Sequence, residues 1–379
     1  MLILEIIGGL LILVFLVVVH ELGHAIASRR NGVVVEEFGI GFPPRAWSKK
    51  LKNGVLFSLN WLPVGGFVKL QGEHDAASKK GDYGAATFWQ KTKILLAGVF
   101  INWLVAAVLL TILAWVGLPK VIPNQFAVAS DTSTVKEPVE LVSIVKNSPA
   151  ERAGLKAGDR IIRFAGEPVA VLDSLGQQSA ANKGKTVEII YDRRNVEHST
   201  QATLRTDGAE GYLGVTSAQR QYMRTSWSAP IVGVVLTGQL TVATLQGLGG
   251  LVGNLAQGLV LQFSPDHATQ KQAHTALTTA GNSVAGPIGI LGTIFPAAEQ
   301  AGLGQVVLLT AVISLTLAVM NVLPIPALDG GRWFTMAIFR IIKKPLTKER
   351  EEAIQATGFM VLMALIVIVT VVDVSKLFK

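Results

Sequence analysis

The sequence predicts a polytopic α-helical membrane protein of about four transmembrane helices, with a cytoplasmic β-hairpin or re-entrant region and an extracytoplasmic α+β domain. Three observations point to it. The 379 residues are 50% hydrophobic and only 16% charged, too apolar for an ordinary soluble enzyme. Four apolar stretches, 2–26, 93–118, 305–324 and 356–372, stand out as spans. Between the second and third, residues 135–215 change character, with more charge and alternating apolar positions.

Charge sets the expected topology. Ten Lys and Arg lie from Arg29 to Lys91, and six from Arg332 to Arg350. Both stretches read as cytoplasmic. Both termini and the segment between the second and third spans are then extracytoplasmic. The net charge of +8 comes from residues flanking membrane segments, which favours topology over nucleic acid as its meaning. The N-terminal stretch resembles a signal peptide, but it lacks a basic leading region and a small-residue cleavage site. A fifth apolar stretch, 231–261, is Gly-rich and carries Gln239, Gln246, Asn254 and Gln257. It is expected as one or two helices on or partly in the outer face.

The first span ends in His20-Glu21-Leu22-Gly23-His24, an H-E-x-x-H zinc motif. Positions i and i+4 share a helix face, so both imidazoles can reach one ion. Ionisable groups at membrane depth are costly and mark functional sites. The chain has no cysteine, so further ligands must be His, Asp or Glu. The candidate third ligand is Asp329, in the run N-V-L-P-I-P-A-L-D-G-G from Asn321 to Gly331. Pro324 and Pro326 end a helix, and the glycines permit a tight turn. Irregular backbone at that depth must be buried in protein or line a wet cavity. Alone, Asp329 reads equally well as a turn residue at the membrane surface; beside H-E-x-x-H it completes a His/His/Asp set. Zinc there would acidify a water and polarise a carbonyl. Glu21 would take the water proton and pass it to the leaving amine. Asn321 could bond substrate backbone or the oxyanion, or serve as interhelical glue.

Val33–Phe42 and Val55–Leu70 are β-prone runs punctuated by Gly and Pro, read as short strands and hairpins. Their aromatics suit the membrane interface. A strand here could take up an extended substrate by β-addition, or be a plain structural hairpin. Farther on, Asn147–Ile162 reads as a short helix capped by Ser148 with Pro149 at N1, then a glycine-bounded turn, then a strand. Thr186–Tyr191 and Gln201–Arg205 read as further strands. This S-P-A-x-x-A-G-L-x-x-G-D-x-I string resembles a PDZ domain, with Gly211–Val215 as its candidate peptide loop. Such a domain would bind extended peptides or act as a steric gate. The expected organisation is 1–118 for the first membrane part, 119–134 a linker, 135–217 the PDZ-like domain, 218–302 a membrane-associated region and 303–379 the second membrane part.

Taken together these motifs resemble the site-2 proteases, intramembrane zinc metalloproteases, and within them the bacterial branch that includes the regulator of sigma-E protease. The shared features are H-E-L-G-H, G-G-F-V-K-L at Gly65–Leu70, one PDZ-like domain, Gly286-Pro287-Ile288 and N-x-x-P-x-P-x-L-D-G. The resemblance implies a multi-pass protein of the bacterial cell membrane that cleaves transmembrane proteins, such as anti-sigma factors or remnant signal peptides. It implies Zn2+ at His20, His24 and Asp329, with Glu21 catalytic. It also implies substrate contacts from Asn321, Gly65, Gly66, Phe67, Pro324 and Pro326. Three features depart from the family pattern. Val99 stands where relatives carry proline in A-G-P-x-x-N (here Ala97 to Asn102). Thr316 stands where relatives carry a second asparagine. The chain has length for one PDZ domain where several relatives have two. A catalytically silent membrane scaffold with a PDZ domain is the competing reading, and Glu21 argues against it. A transporter is a third, disfavoured because the intramembrane polar residues converge on one point.

Overall fold

The computed structural model describes residues 2–207, 211–264, 266–282 and 284–377, so three residues of the expected 135–217 domain, 208–210, lie outside the described residues. Contacts divide the chain into two compact units, Met1–Leu113 with Pro230–Lys379, and Ala114–Ala229.

The first unit begins with helix α1 (Leu2–Arg30), whose apolar run contains no proline and whose last turn carries Arg29 and Arg30. Cations there complement the carbonyl end of the helix dipole. The expected short strands are two long ones, β1 (Val35–Lys50) and β2 (Leu56–Leu70). Their register pairs Phe38 with both Val68 and Phe57, so the start of β1 meets both ends of β2. One face of this sheet buries Val33, Val35, Val55 and Leu70 with Ala25, Tyr83 and Ile94. Trp47, Trp61 and Phe42 stay exposed on it, as interfacial aromatics do. Helix α2 (Phe88–Val116) runs unbroken through Val99.

The second unit is sheet-rich. It contains β3 (Leu118–Pro119), β4 (Ser133–Lys136), β5 (Val139–Ile144), α3 (Pro149–Arg152), β6 (Arg160–Phe164), β7 (Glu167–Pro168), α4 (Leu172–Ala181), β8 (Thr186–Arg193), β9 (Val196–Thr203), β10 (Val215–Ala218) and β11 (Gln221–Arg224). The main sheet has the order β10-β5-β6-β8-β9, with β7 on β6. Strand β8 buries Val187, Ile189 and Tyr191, the two-residue alternation of a half-buried strand. These pack on Phe164, Ile161, Leu141 and Leu175. Ser148 caps α3, its Oγ accepting the Glu151 N–H at 3.1 Å, and Pro149 occupies N1, as expected. Strand β9 starts five residues earlier than the expected Gln201. Arg194 and Asn195 both adopt positive φ, making a two-residue turn that sends the chain straight back along β8.

The stretch expected as a linker, 119–134, and the residues that open 218–302 carry strands. Strand β11 pairs with β3 on one side and β4 on the other, a three-stranded sheet closing the base of the unit. Asp131 fastens it: its carboxylate accepts the Ser226 and Ser228 N–H groups at 2.9 and 3.0 Å and both hydroxyls. Turn residues made these segments look unstructured, but the pairing is long-range and leaves little local signal.

The chain returns to the first unit with α5 (Ala229–Leu261), α6 (His267–Asn282), α7 (Pro287–Gly289), a π-helical turn Ile290–Ile294, α8 (Phe295–Gln300), α9 (Leu303–Val322), α10 (Asp329–Ile341) and α11 (Lys348–Leu377). Here the stretch 231–261 takes a definite form. The stretch expected as one or two helices on the outer face is one unbroken 33-residue helix. It packs along α2, with Gly233 against Ala107 and Thr111, and Thr241 accepting the Trp103 indole N–H at 3.2 Å. Among the described residues, five helices are long and apolar enough to cross a membrane. The Gly286-Pro287-Ile288 motif sits against α11. Asp373 accepts the Gly289 N–H at 2.8 Å, and a Cβ at Gly286 would lie 2.6 Å from its carboxylate.

The hydrogen bonds from Ser226 and Ser228 hold the Asp131 carboxyl well below the usual carboxylate range. Its folded value lies under its unfolded value of about 3.9. The stabilisation is therefore complete above that value and is lost as pH falls toward the folded one. Hydrogen exchange of β11 in the full chain should be faster in Asp131→Asn than in wild type at neutral pH. Equal protection would show that Asp131 does not hold the sheet.

Candidate metal centre

The site is built on α1, α2 and the start of α10. His20 and His24 lie one turn apart on α1. Asp329 is the first residue of α10, reached after a chain reversal. That reversal is tight. A Cβ at Gly330 would lie 2.2 Å from the Val322 carbonyl oxygen, and one at Gly331 would lie 2.0 Å from that of Ile325. Only glycine lets the chain double back here and aim Asp329 at α1.

The three ligand atoms converge. His20 Nε2 lies 3.1 Å from Asp329 Oδ2, His24 Nε2 lies 3.2 Å from the same oxygen, and the two Nε2 atoms are 3.1 Å apart. Among the described residues this is the one cluster of three such groups able to share an ion. The set fits zinc. A tetrahedral ion with bonds of about 2.0–2.1 Å has ligand–ligand edges of roughly 3.3 Å. The Nδ1 of His24 faces the Ile94 carbonyl at 2.8 Å, which accepts its N–H and leaves the Nε2 lone pair for a metal.

Glu21 lies between two small cavities. One, of about 110 Å³, is lined by Glu21, His24, Asp329, Tyr83 and Arg332, among others. The other, of about 200 Å³, is lined by His20, Glu21, Asn102, Asn321, Leu317 and Asp329, among others. Strand β2 lies against Glu21 at Gly66, and Val68 lines the smaller of the two cavities with it. A larger open cavity of about 860 Å³ reaches Asp329 from the side of Glu73, His74 and Glu351.

Of the remaining expected residues, Asn321 and Gly66 come to the centre. A Cβ at Gly66 would lie 3.7 Å from Glu21 Cγ. The others are placed elsewhere. Gly65 faces Phe42, Phe67 covers Gly39, Pro326 packs on Gly358, and Pro324 is exposed. Thr316 does not reach the centre either, since its hydroxyl donates to the Val312 carbonyl in its own helix.

Several site residues were not legible in the sequence. Gly98 on α2 is the closest: a Cβ there would lie 2.5 Å from His24 Nε2 and 2.6 Å from His20 Cε1. Gly23 answers it from α1, where a Cβ would lie 2.8 Å from the Ala97 carbonyl oxygen. Two glycines let the helices approach so closely that α2 backs the imidazoles. Arg332, one turn after Asp329, forms a part-buried network. It bonds Glu73 at 3.0 Å and Glu351 at 3.1 Å, and its guanidinium stacks over Tyr83 at 4.5 Å. Asp75 extends the network, pairing with Lys91 and donating its N–H to Glu351 at 2.8 Å. These part-buried pairs tie the start of α10 to the loop after β2.

A pair of imidazoles and a carboxylate converging between membrane-length helices, with a glutamate beside them, defines a metallohydrolase site of the intramembrane type. Comparison with known proteins agrees. The profile of peptidase family M50 matches residues 8–365, so the chain belongs to that family, the site-2 proteases. A Clostridium perfringens protein with the provisional name zinc metalloprotease CPE1693 is 31% identical, covering 97% of this chain and 98% of its own. Zinc metalloprotease RasP of Bacillus licheniformis is 26% identical, covering 98% and 99%. The regulator of sigma-W protease RasP of Bacillus subtilis is 26% identical, covering 96% of each. Among solved structures, the PDZ domain of an SdrC-like protein from Listeria monocytogenes aligns at 24% identity. It covers 21% of this chain and 87% of that one, with a TM-score of 0.20. The chain is a zinc metalloendopeptidase of the site-2 type, and its cofactor is Zn2+.

Replacing Gly98 with Ala should push the imidazoles apart and lower zinc affinity by more than about tenfold, since outer-shell changes at metal sites cost 10–100-fold. Zinc per chain, measured after dialysis against graded chelator, tests this. Wild-type retention would show that the close approach of α2 is not needed.

Proposed function

We propose that this protein cleaves the transmembrane segments of single-span membrane proteins, with zinc held by His20, His24 and Asp329. The convergence of the three ligand atoms beside Glu21 carries the proposal. When bound, zinc supplies an acidified water and a polarised carbonyl. Glu21 faces both small cavities, with strand β2 against it at Gly66. From there it takes the water proton and returns it to the leaving nitrogen. Asn321 lines the cavity beside His20 and Glu21, placed to donate to the substrate backbone or the developing oxyanion. A helical substrate hides its peptide bonds in its own hydrogen bonds and must be drawn out. Strand β2, which lies against Glu21 at Gly66, offers an extended partner for that.

The basic stretches 29–91 and 332–350 lie on the cytoplasmic side, with both termini and the sheet-rich unit outside. Helix α6 folds back on α5, with Gly258 against Leu277. His20 is ten residues from the end of α1, about 15 Å below the cytoplasmic end of the helix. The cavity lined by Glu73 and Glu351 reaches Asp329 from that side and is the route proposed for water. An anti-sigma factor is one substrate of the right kind, as the name of the Bacillus subtilis relative suggests. The sheet-rich unit is read as a PDZ-like module that binds extended chain ends or limits access to the membrane site.

A single-span test substrate, incubated with the protein in liposomes, should be cut by wild type. Glu21→Gln should be slower by a factor of about 10²–10⁴ with zinc content unchanged. Cleavage at the wild-type rate in Glu21→Gln would sink the proposed mechanism.

A further inference from the structure

Two of the three proposed zinc ligands are imidazoles. For each, the ring nitrogen not facing the metal must carry the proton if Nε2 is to present its lone pair. His24 has the Ile94 carbonyl to receive that proton. For His20 the neighbour is the side-chain amide of Asn102, 3.4 Å from Nδ1. With the amide nitrogen toward the ring, two N–H groups would face each other. The amide oxygen is then buried without a partner. An asparagine amide exchanges its oxygen and nitrogen on half a turn. Turned that way, Oδ1 accepts the His20 Nδ1–H and the conflict disappears.

We infer that Asn102 positions His20 for zinc, its Oδ1 accepting the Nδ1–H and fixing the tautomer that leaves Nε2 free. The inference rests on zinc being held by His20, His24 and Asp329. Asn102 is fully buried, four residues after Gly98 and therefore on the same face of α2. That face is already pressed against the two imidazoles. A packing role does not account for the side chain. The bond joining α2 to α9 here runs from Ser314 Oγ to the backbone carbonyl of Asn102 at 2.8 Å, which any residue would offer. A buried amide is costly unless it is bonded, and the His20 ring is the partner within reach. The two imidazoles are thus oriented from one helix by different means, His24 by a main-chain carbonyl and His20 by a side chain. Only the second can be removed by substitution.

The test uses the full chain in detergent, stripped of metal and titrated with zinc against a chromophoric chelator. Asn102→Leu removes the acceptor, and Asn102→Asp keeps one in the same place. Asn102→Leu should bind zinc about 10–100-fold more weakly, the usual cost of losing such a partner. Its metal-free thermal midpoint should not fall, and Asn102→Asp should bind as wild type does. Zinc affinity unchanged in Asn102→Leu would overturn the inference, as would an equal loss in Asn102→Asp. If Asn102→Leu does not fold, the comparison of Asn102→Asp with wild type decides. His20→Ala separates the two layers of the argument. Zinc lost in His20→Ala but kept in Asn102→Leu leaves the ligand set standing and removes Asn102 alone. Zinc kept in His20→Ala removes both.

Discussion

The centre depends on how closely two apolar helices can approach. Helix α1 brings two imidazoles to one face, but imidazoles deep in a membrane protein need a wall that holds them without filling their space. Helix α2 supplies it at Gly98, where even a methyl group would lie within 2.6 Å of both rings. Gly23 makes the same concession from α1. Small residues at a helix crossing are the usual way for membrane helices to gain contact area without a hydrophobic driving force between them. Here the same device also sets the depth and spacing of the imidazoles.

Everything polar near the centre is arranged around that crossing. Asp329 arrives on a reversal that Gly330 and Gly331 make possible. Arg332 then ties the start of α10 to Glu73, Tyr83 and Glu351, elements far apart in the chain. Buried charges are tolerable when each has a partner, and here Arg332 faces Glu73 and Glu351 while Lys91 faces Asp75. Strand β2 lies against α1 on another side, so the same glutamate is reached by a cavity and by a strand. A hydrolase inside a membrane needs both: a source of water and a partner for an unwound peptide.

Much of this was legible in the sequence, for reasons of range. His20, Glu21 and His24 are read from helical spacing, which is local. Asp329 was readable because Pro324, Pro326, Gly330 and Gly331 announce irregular backbone inside an apolar setting. Gly98 and Asn102 were visible only as members of the family's A-G-P-x-x-N pattern, with no role at the centre attached to them. Their meaning depends on which helix crosses α1 and at what height. The available signal was an amide four residues after a glycine, within an otherwise apolar run. The linkers failed differently: Pro- and Ser-rich stretches look unstructured, yet β11 pairs across them from nearly a hundred residues away. The stretch 231–261 left one helix or two open in the sequence, because its glycines and amides could mark a break. Gly233 instead serves the packing on α2, and the helix continues.

The most direct test of the account is X-ray absorption at the zinc edge of the purified, zinc-loaded protein. The account predicts a four-coordinate shell at about 2.0–2.1 Å with scattering from two imidazoles and the remainder from oxygen. A shell with one imidazole or none, or a six-coordinate oxygen shell, would place the metal elsewhere and contradict the assembly of the site from α1 and α10.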